Sequence, residues 1–440
     1  MNFDALTRWR RETFRSLGVR NFRLFTIGQF ISNTGSWMQS ISIAYLVLTL
    51  SKSGSLLGLV TAAQFIPILL FGAQAGIVID RLNRRHLIMV TQTLFMIVAF
   101  ILFFLVQRHE INLLLVFLFS IILGLINAVD TPARQSFVQE LVGHDNLQNA
   151  VTLNAASFNL ARAIGPAAVG VAIASLGLSW GFLLNAISFI AILLALVMMK
   201  PVQFFIQGTV LREPKQIRAG LRYVRNSPIL LTTLIAILIA GIFAYNFPVT
   251  IPLLAETTFH GHAQLLGNFM SLFGVGAIFG SIVAASLRRP ASPGLMVFIS
   301  MGFALLMALV AVAPSIWLAG LALVGLGALS ISFNALTNAT LQMNSRFDMR
   351  GRVMALYTLG FLGSTPIGAP TVGFLSQDFS PRWAFIAGAG SLLVAAVLFL
   401  RLRRARTAKE FLPGTPPNKP GSPGCTAGPQ VYLEPETPQA

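Results

Sequence analysis

Charge is what this sequence has least of. Of its 440 residues only 10% are Asp, Glu, Lys or Arg, whereas 55% are hydrophobic. A soluble domain carries about 25% charged residues, because its surface must be wetted. The shortage excludes the two or three soluble domains that the length alone would suggest. Acidic groups are the scarcer kind, 14 against 31 Lys and Arg, for a formal net charge of +17. Nucleic-acid binding would need that excess gathered on the face of a soluble domain. Here the basic residues form short clusters between long uncharged runs, so no nucleic-acid partner is expected. The single cysteine, Cys425, excludes an internal disulfide. The absence of any Gly-Lys dipeptide excludes a Walker-type phosphate loop. His, Cys, Asp and Glu do not cluster within the apolar runs, as a membrane-embedded enzyme would require. No catalytic residue, metal or cofactor is expected, and His260 and His262 read as incidental loop histidines.

What the chain has instead is hydrocarbon-length runs. A helix needs roughly 20 apolar residues to cross about 30 Å of bilayer core. Leu24–Leu50, Leu56–Ile79, Leu87–Val106 and Ile111–Val129 predict four spans. Val151–Met199 carries one charge, Arg162, and predicts two, broken near Gly177. Ile229–Ala255 and Leu265–Leu287 predict two more, and the uncharged stretch Pro290–Ser345 another two, doubling back at Pro314. Val353–Gln377 and Trp383–Leu400 complete an all-α membrane protein of twelve transmembrane helices. Lys52, Arg108 and Arg382 fall on odd-numbered connections, and nearly all other basic residues on the termini and even connections. Lys and Arg are retained on the cytoplasmic side, so both termini are expected inside an inner, plasma-membrane protein. The basic N-terminal stretch has no apolar core of a removable signal.

The spacing divides the chain into a cytoplasmic segment (1–20), a six-helix bundle (21–200), a linker (201–227), a second six-helix bundle (228–402) and a Pro/Gly-rich tail expected to be disordered (403–440). In the linker, Lys215, Arg218, Arg222 and Arg225 recur at helical spacing beside Ile217, Leu221 and Val224, the pattern of an amphipathic helix on an anionic membrane surface. The halves echo one another: Gly165 and Gly368 stand at the same offset as Asp145 and Asp348. Repeated halves enclosing a site near the midplane are the build of many secondary transporters.

Between the second and third runs stands Gly76-Ile-Val-Ile-Asp80-Arg81-Leu-Asn83-Arg84-Arg85. It resembles the signature loop of the major facilitator superfamily, with Asn83 where Gly is usual; Asn is the next best residue for a left-handed turn. Asp130-Thr-Pro132-Ala-Arg134-Gln135 closes the fourth run, with Glu140 and Asn149 beyond it. Asn159-Leu-Ala-Arg162-Ala-Ile-Gly165-Pro166, with Gly170, resembles the Gly-Pro antiporter motif of drug exporters. With Asn21-Phe-Arg-Leu-Phe at the first run, residues 20–400 resemble the branch of enterobactin exporters and multidrug–proton antiporters. The resemblance implies the major facilitator fold, efflux of an amphipathic drug-like or siderophore-like molecule by alternating access, and protons as co-substrate. It also implies that Asp130 takes the charge of Arg84 or Arg81 in a cytoplasmic latch. A lysophospholipid flippase is the alternative within the branch, and oligomeric state is left open.

Arg162 is the deepest charge. It lies about 20 Å along a helix from Asn149, and a central Arg costs at least ~2.5 kcal/mol on insertion scales. Two roles fit: a cavity cation that meets carbonyls, an acid or substrate, or a brace between helices. Gln29, Asn33, Ser36, Trp37 and Ser40 share one face of the first span, as a cavity wall or as helix-packing groups. Asn246 and Phe247, beside Pro248 and Pro252, are the corresponding candidates in the second half.

Overall fold

The computed structural model describes residues 14–79, 82–143, 145–200, 216–286 and 292–410. After a short 3-10 turn at Arg15–Gly18, six helices follow: α1 (Arg20–Ser51), α2 (Gly54–Ile79), α3 (Arg84–Gln107), α4 (Leu113–Val142), α5 (Leu147–Leu176) and α6 (Ser179–Met198). A short helix, α7 (Gln216–Arg225), precedes α8 (Pro228–Phe243) and α9 (Phe247–Leu253), which ends in a π turn at Leu254–Thr258. Then come α10 (Ala263–Ser286), α11 (Pro293–Val312), α12 (Ile316–Met343), α13 (Phe347–Leu362), α14 (Thr365–Asp378) and α15 (Pro381–Glu410).

Local chemistry sets these limits. Asn112, Ser292 and Ser315 cap α4, α11 and α12 by accepting from the backbone N–H three residues on. Pro293 and Pro228 open their helices where a missing N–H costs nothing. Gly177, at φ 101°, turns the chain between α5 and α6 where the sequence predicts a break.

Among the described residues, ten helical segments are long and apolar enough to cross a membrane. The first span and the α13–α14 pair are not among them, for physical reasons. In α1 the polar residues Gln29, Ser32, Asn33, Ser36 and Gln39 dilute the apolar run. The α13–α14 segment is interrupted at Gly363 and Ser364 ahead of Pro366. The run expected as one helix over Ile229–Ala255 is likewise broken, at Ala244–Asn246.

Buried side chains form two clusters. One is built mainly from the chain up to Met199, with Phe22, Phe137, Phe182 and Phe189 fully enclosed. The other comes mainly from Val224 onward, around Phe269, Phe303, Phe333, Phe385 and Phe399. A few residues cross over: Val249, Leu253, Ala369 and Val372 join the first cluster, and Ile41, Val169 and Ile173 the second. All of these lie toward the end of the bundle that carries the α1–α2 and α5–α6 turns.

The linker is helical over Gln216–Arg225, while 201–215 lie outside the described residues. Val224 is buried, because Gly220 lets the helix lie against Arg352 and Leu356 of α13, whereas Leu221 is exposed. The last helix continues to Glu410, past the expected boundary at 403, and the rest of the tail, 411–440, lies outside the described residues.

Candidate functional site

Where the two clusters face one another, α5 meets α10. Gly274 removes the side chain that would block them: a Cβ there would stand 2.6 Å from the Cα of Ala163 and 2.9 Å from the carbonyl oxygen of Arg162. That contact fixes the Arg162 backbone against the residue following Phe273. The guanidinium then lies 4.5 Å from the ring centroid of Phe273 and 5.6 Å from that of Trp37 on α1. Phe158 meets Trp37 edge-on at 5.8 Å, Phe247 meets Phe273 at 4.4 Å, and Tyr245 meets Phe247 and Phe361 at 6.0 and 5.1 Å. Arg162 thus sits in an aromatic surround contributed by α1, α5, α10 and the α8–α9 and α13 segments.

No ion pair or hydrogen bond of the Arg162 guanidinium is present among the described residues. The sealed polar atoms without partners belong to other residues, such as Gln29, Ser120 and Asn246. The nitrogens of Arg162 therefore open onto space and are not locked in packing. Of the two roles left open by the sequence, a brace to a neighbouring helix through hydrogen bonds is absent.

The polar residues of α1 divide by direction. Trp37 faces Arg162. Ser32, which sequence reasoning passed over, donates to Gln92 of α3, and Gln39 accepts from Asn185 of α6 at 2.7 Å. Ser36 donates to its own helix at Ser32 O. Gln29 and Asn33 are buried, at 7% and 9% exposure, so they belong to the packed interior more than to an open wall. Asn246 is corrected likewise. It is 2% exposed, and its amide donates to Ile242 O at 2.7 Å, capping the carbonyls that the α8–α9 break strands. Phe247 is buried behind Phe273 and supports it.

The Gly-Pro motif is a packing seam. Gly165 faces the Thr34 carbonyl and Trp37 of α1, while Pro166 and Gly170 face Gly267 of α10. A Cβ on Gly267 would lie 2.5 Å from Pro166 O. The partner seam runs between α2 and α14, where a Cβ on Gly58 would come within 2.3 Å of Ala369 O. Beyond it the Ser53 hydroxyl and the Ser55 N–H both donate to Gln377 Oε1, at 2.5 and 3.0 Å. At this end the seams are closed. At the other end α5 has no buried residue between Val151 and Phe158, and Leu70, Phe71, Phe279, Ile282 and Leu359 are exposed on the facing helices.

The signature loop is partly visible. Asp80 and Arg81 lie outside the described residues, and Gly76 falls within α2. Asn83 has φ −66°, not the expected left-handed turn: it caps α3, its side chain accepting from His86 N. Arg84 pairs with Glu140. Arg85 donates to the carbonyls of Leu196 and Val197 at 2.9 and 3.2 Å, where cations favour a helix C-terminus. Asp130, 2% exposed, accepts from Thr91, Gln92 and Arg134 at 2.6, 2.8 and 2.6 Å. Of the two partners expected for Asp130, Arg84 pairs with Glu140 in this conformation and Arg81 lies outside the described residues, while Arg134, one helical turn away on α4, pairs with Asp130. Asp130 is also deeper than the fourth run suggested, since α4 continues to Val142. Sequence motifs elsewhere prove to be staples: Asn149 accepts from Ser16, and Asn21 exchanges two hydrogen bonds with the Lys200 backbone. Among the described residues no group of His, Cys, Asp and Glu could hold a metal ion.

A family model described as transmembrane secretion effector matches residues 12–420. The chain belongs to this family of the major facilitator superfamily. It is a multi-pass integral membrane transporter. Similar chains include the staphyloferrin A transporter of Staphylococcus aureus, 23% identical over 88% of this chain and 98% of that one. The enterobactin exporter EntS of Escherichia coli O157:H7 is 26% identical over 92% of this chain and 96% of its own. Among solved structures, a bacterial homologue of the human lysosomal transporter Spinster, inward-facing and unoccupied, aligns with a TM-score of 0.70 at 13% identity, covering 90% of this chain and 98% of that one. The nucleoside transporter NupG aligns at 0.68 and 14%, over 87% and 98%. At such identities the structural likeness speaks for the fold.

Proposed function

We propose that this transporter exports an amphipathic, drug-like or siderophore-like small molecule by alternating access, its twelve spans working as two six-helix halves. The observation that carries the reading is the asymmetry of the two seams. α5–α10 and α2–α14 are closed at one end by glycine contacts and by Gln377, and open at the other, beyond Arg162 along residues 151–158 of α5. By the positive-inside rule the open end is cytoplasmic, so the state is inward-open and ready to load. Rocking the halves about the Arg162 region would exchange which end is closed.

An ion gradient is the natural energy source, and one charge crossing ~100 mV supplies about 2.3 kcal/mol. Proton antiport rests on the resemblance to multidrug–proton antiporters and on Asp130, a carboxylate held within the bundle. Its test is efflux from proteoliposomes under an imposed pH gradient. Transport should follow the gradient's sign, and indifference to it rejects proton coupling. The lipid-transport reading draws on an apolar groove of about 580 Å³ between α1, α5 and α6, lined by Phe30, Met38, Ile164 and Leu184 among others. Translocation of a labelled lysophospholipid by the same vesicles would favour it over export of a soluble molecule.

A further inference from the structure

The sign and shape of the substrate follow from how Arg162 is held. A deep guanidinium is costly in a membrane, and proteins ordinarily offset that with a carboxylate or with carbonyls. Here it has neither among the described residues, and its neighbours are the rings of Trp37 and Phe273. Ring faces attract a cation by about 0.5 to 2 kcal/mol, which leaves the hydrogen-bonding capacity untouched. A guanidinium lying over aromatic rings engages them with its flat faces, while its N–H donors point outward in its own plane, in the fork that fits a carboxylate. The nitrogens open onto space. The rings beside them belong to α1 and α10.

Resting on the transporter reading above, we infer that the cavity takes an aromatic anion, its carboxylate or comparable planar oxyanion forked by Arg162 and its ring laid among Trp37, Phe158 and Phe273. A cationic substrate is disfavoured by repulsion from Arg162, beside which no carboxylate stands among the described residues. An inorganic anion would use the fork and leave the aromatic surround unexplained.

The test uses three probes of one shape: naphthoate, naphthamide and naphthylmethylammonium. Each is titrated by calorimetry against the full-length protein in nanodiscs. Naphthoate should bind at least about tenfold more tightly than the amide, as a charge-assisted fork implies, and the ammonium should bind more weakly than either. Arg162→Gln should remove the preference for naphthoate while leaving amide binding in place. Trp37→Leu keeps the cation and should weaken naphthoate and naphthamide alike by several-fold, so the inference does not depend on the folding of one variant. Equal affinity for the three probes, preference for the ammonium, absence of binding by all three, or an unchanged preference in Arg162→Gln would each overturn it. So would displacement of naphthoate by equimolar inorganic phosphate. A protein that binds naphthoate with this preference but does not move it across proteoliposomes would sink the export reading and leave the site assignment standing.

Discussion

Asp130 and Arg162 are both charges on membrane-embedded helices, and they are treated in opposite ways. Asp130 receives hydrogen bonds from Thr91 and Gln92 of α3 and from Arg134 of its own helix. Gln92 in turn accepts from Ser32, so the network ties α1, α3 and α4 together. Among the described residues Arg162 has ring faces and no acceptor. One charge is consumed by the fold; the other is kept open at the meeting of the two clusters. A fully satisfied network specifies a packing arrangement, whereas an open cation in a low-dielectric cavity specifies a ligand.

The contrast is broken most severely at Asp130. Asp130→Ala leaves the half-buried Arg134 without its partner and Thr91 and Gln92 without their acceptor, a loss of about 1–3 kcal/mol or more. The expected outcome is a large loss of folded protein in detergent, read by fluorescence-detected gel filtration against temperature. Arg162→Gln, by contrast, breaks no hydrogen bond, so its melting transition should coincide with that of the wild type. A comparable loss in both variants would erase the distinction.

The closed seam comes next. Gly58→Val places a side chain where a Cβ already stands 2.3 Å from Ala369 O, and overpacking of this kind costs about 1–3 kcal/mol. Because the strain falls only on the closed arrangement of that end, the population should shift toward the opposite state. Spin labels placed across the α2–α14 seam should report longer distances than in the wild type. A smaller effect of the same sign is expected from Gln377→Ala, which removes two hydrogen bonds worth about 0.5–1.5 kcal/mol each. The smallest belongs to Arg85→Ala. Losing the clamp on the α6 carbonyls costs about 1 kcal/mol or less, and it should lower the melting temperature slightly without changing the labelled distances.

Much of the fold was legible because hydrocarbon imposes a length on every span: the breaks at Gly177 and Pro314 and the limits of the long helices follow from runs and punctuation. The interruptions at Ala244–Asn246 and Gly363–Ser364 were not legible. Proline beside a polar residue signals a kink, a cap or a loop alike, and tertiary contacts decide among them. Arg162 stood out because a single charge in a long apolar run is anomalous whatever surrounds it. Its partners did not, since Phe273 is one phenylalanine among many until Gly274 brings α10 against α5. Pairing failed for the same reason. The motif brings Arg84, Asp130, Arg134 and Glu140 to one end of the bundle, but spacing along the chain does not reveal that Arg134 lies a turn from Asp130 and faces it. Gln29, Asn33, Ser36, Trp37 and Ser40 read as one stripe, yet a helix in a bundle has neighbours on several sides, and the intervening Ser32 and Gln39, outside that stripe, turn to α3 and α6.

The central claim is that Arg162 is held open for an anion and not for the fold. A thermal-shift experiment tests it most directly: wild type and Arg162→Gln, each with and without saturating naphthoate. A ligand that binds only the folded state raises the transition. The account predicts equal melting temperatures for the two proteins without ligand, and an upward shift on adding the same concentration of naphthoate that is clearly larger in the wild type than in the variant. A variant that melts well below the wild type and shifts as far with naphthoate as the wild type does would contradict it, making Arg162 a structural brace and placing the anion elsewhere.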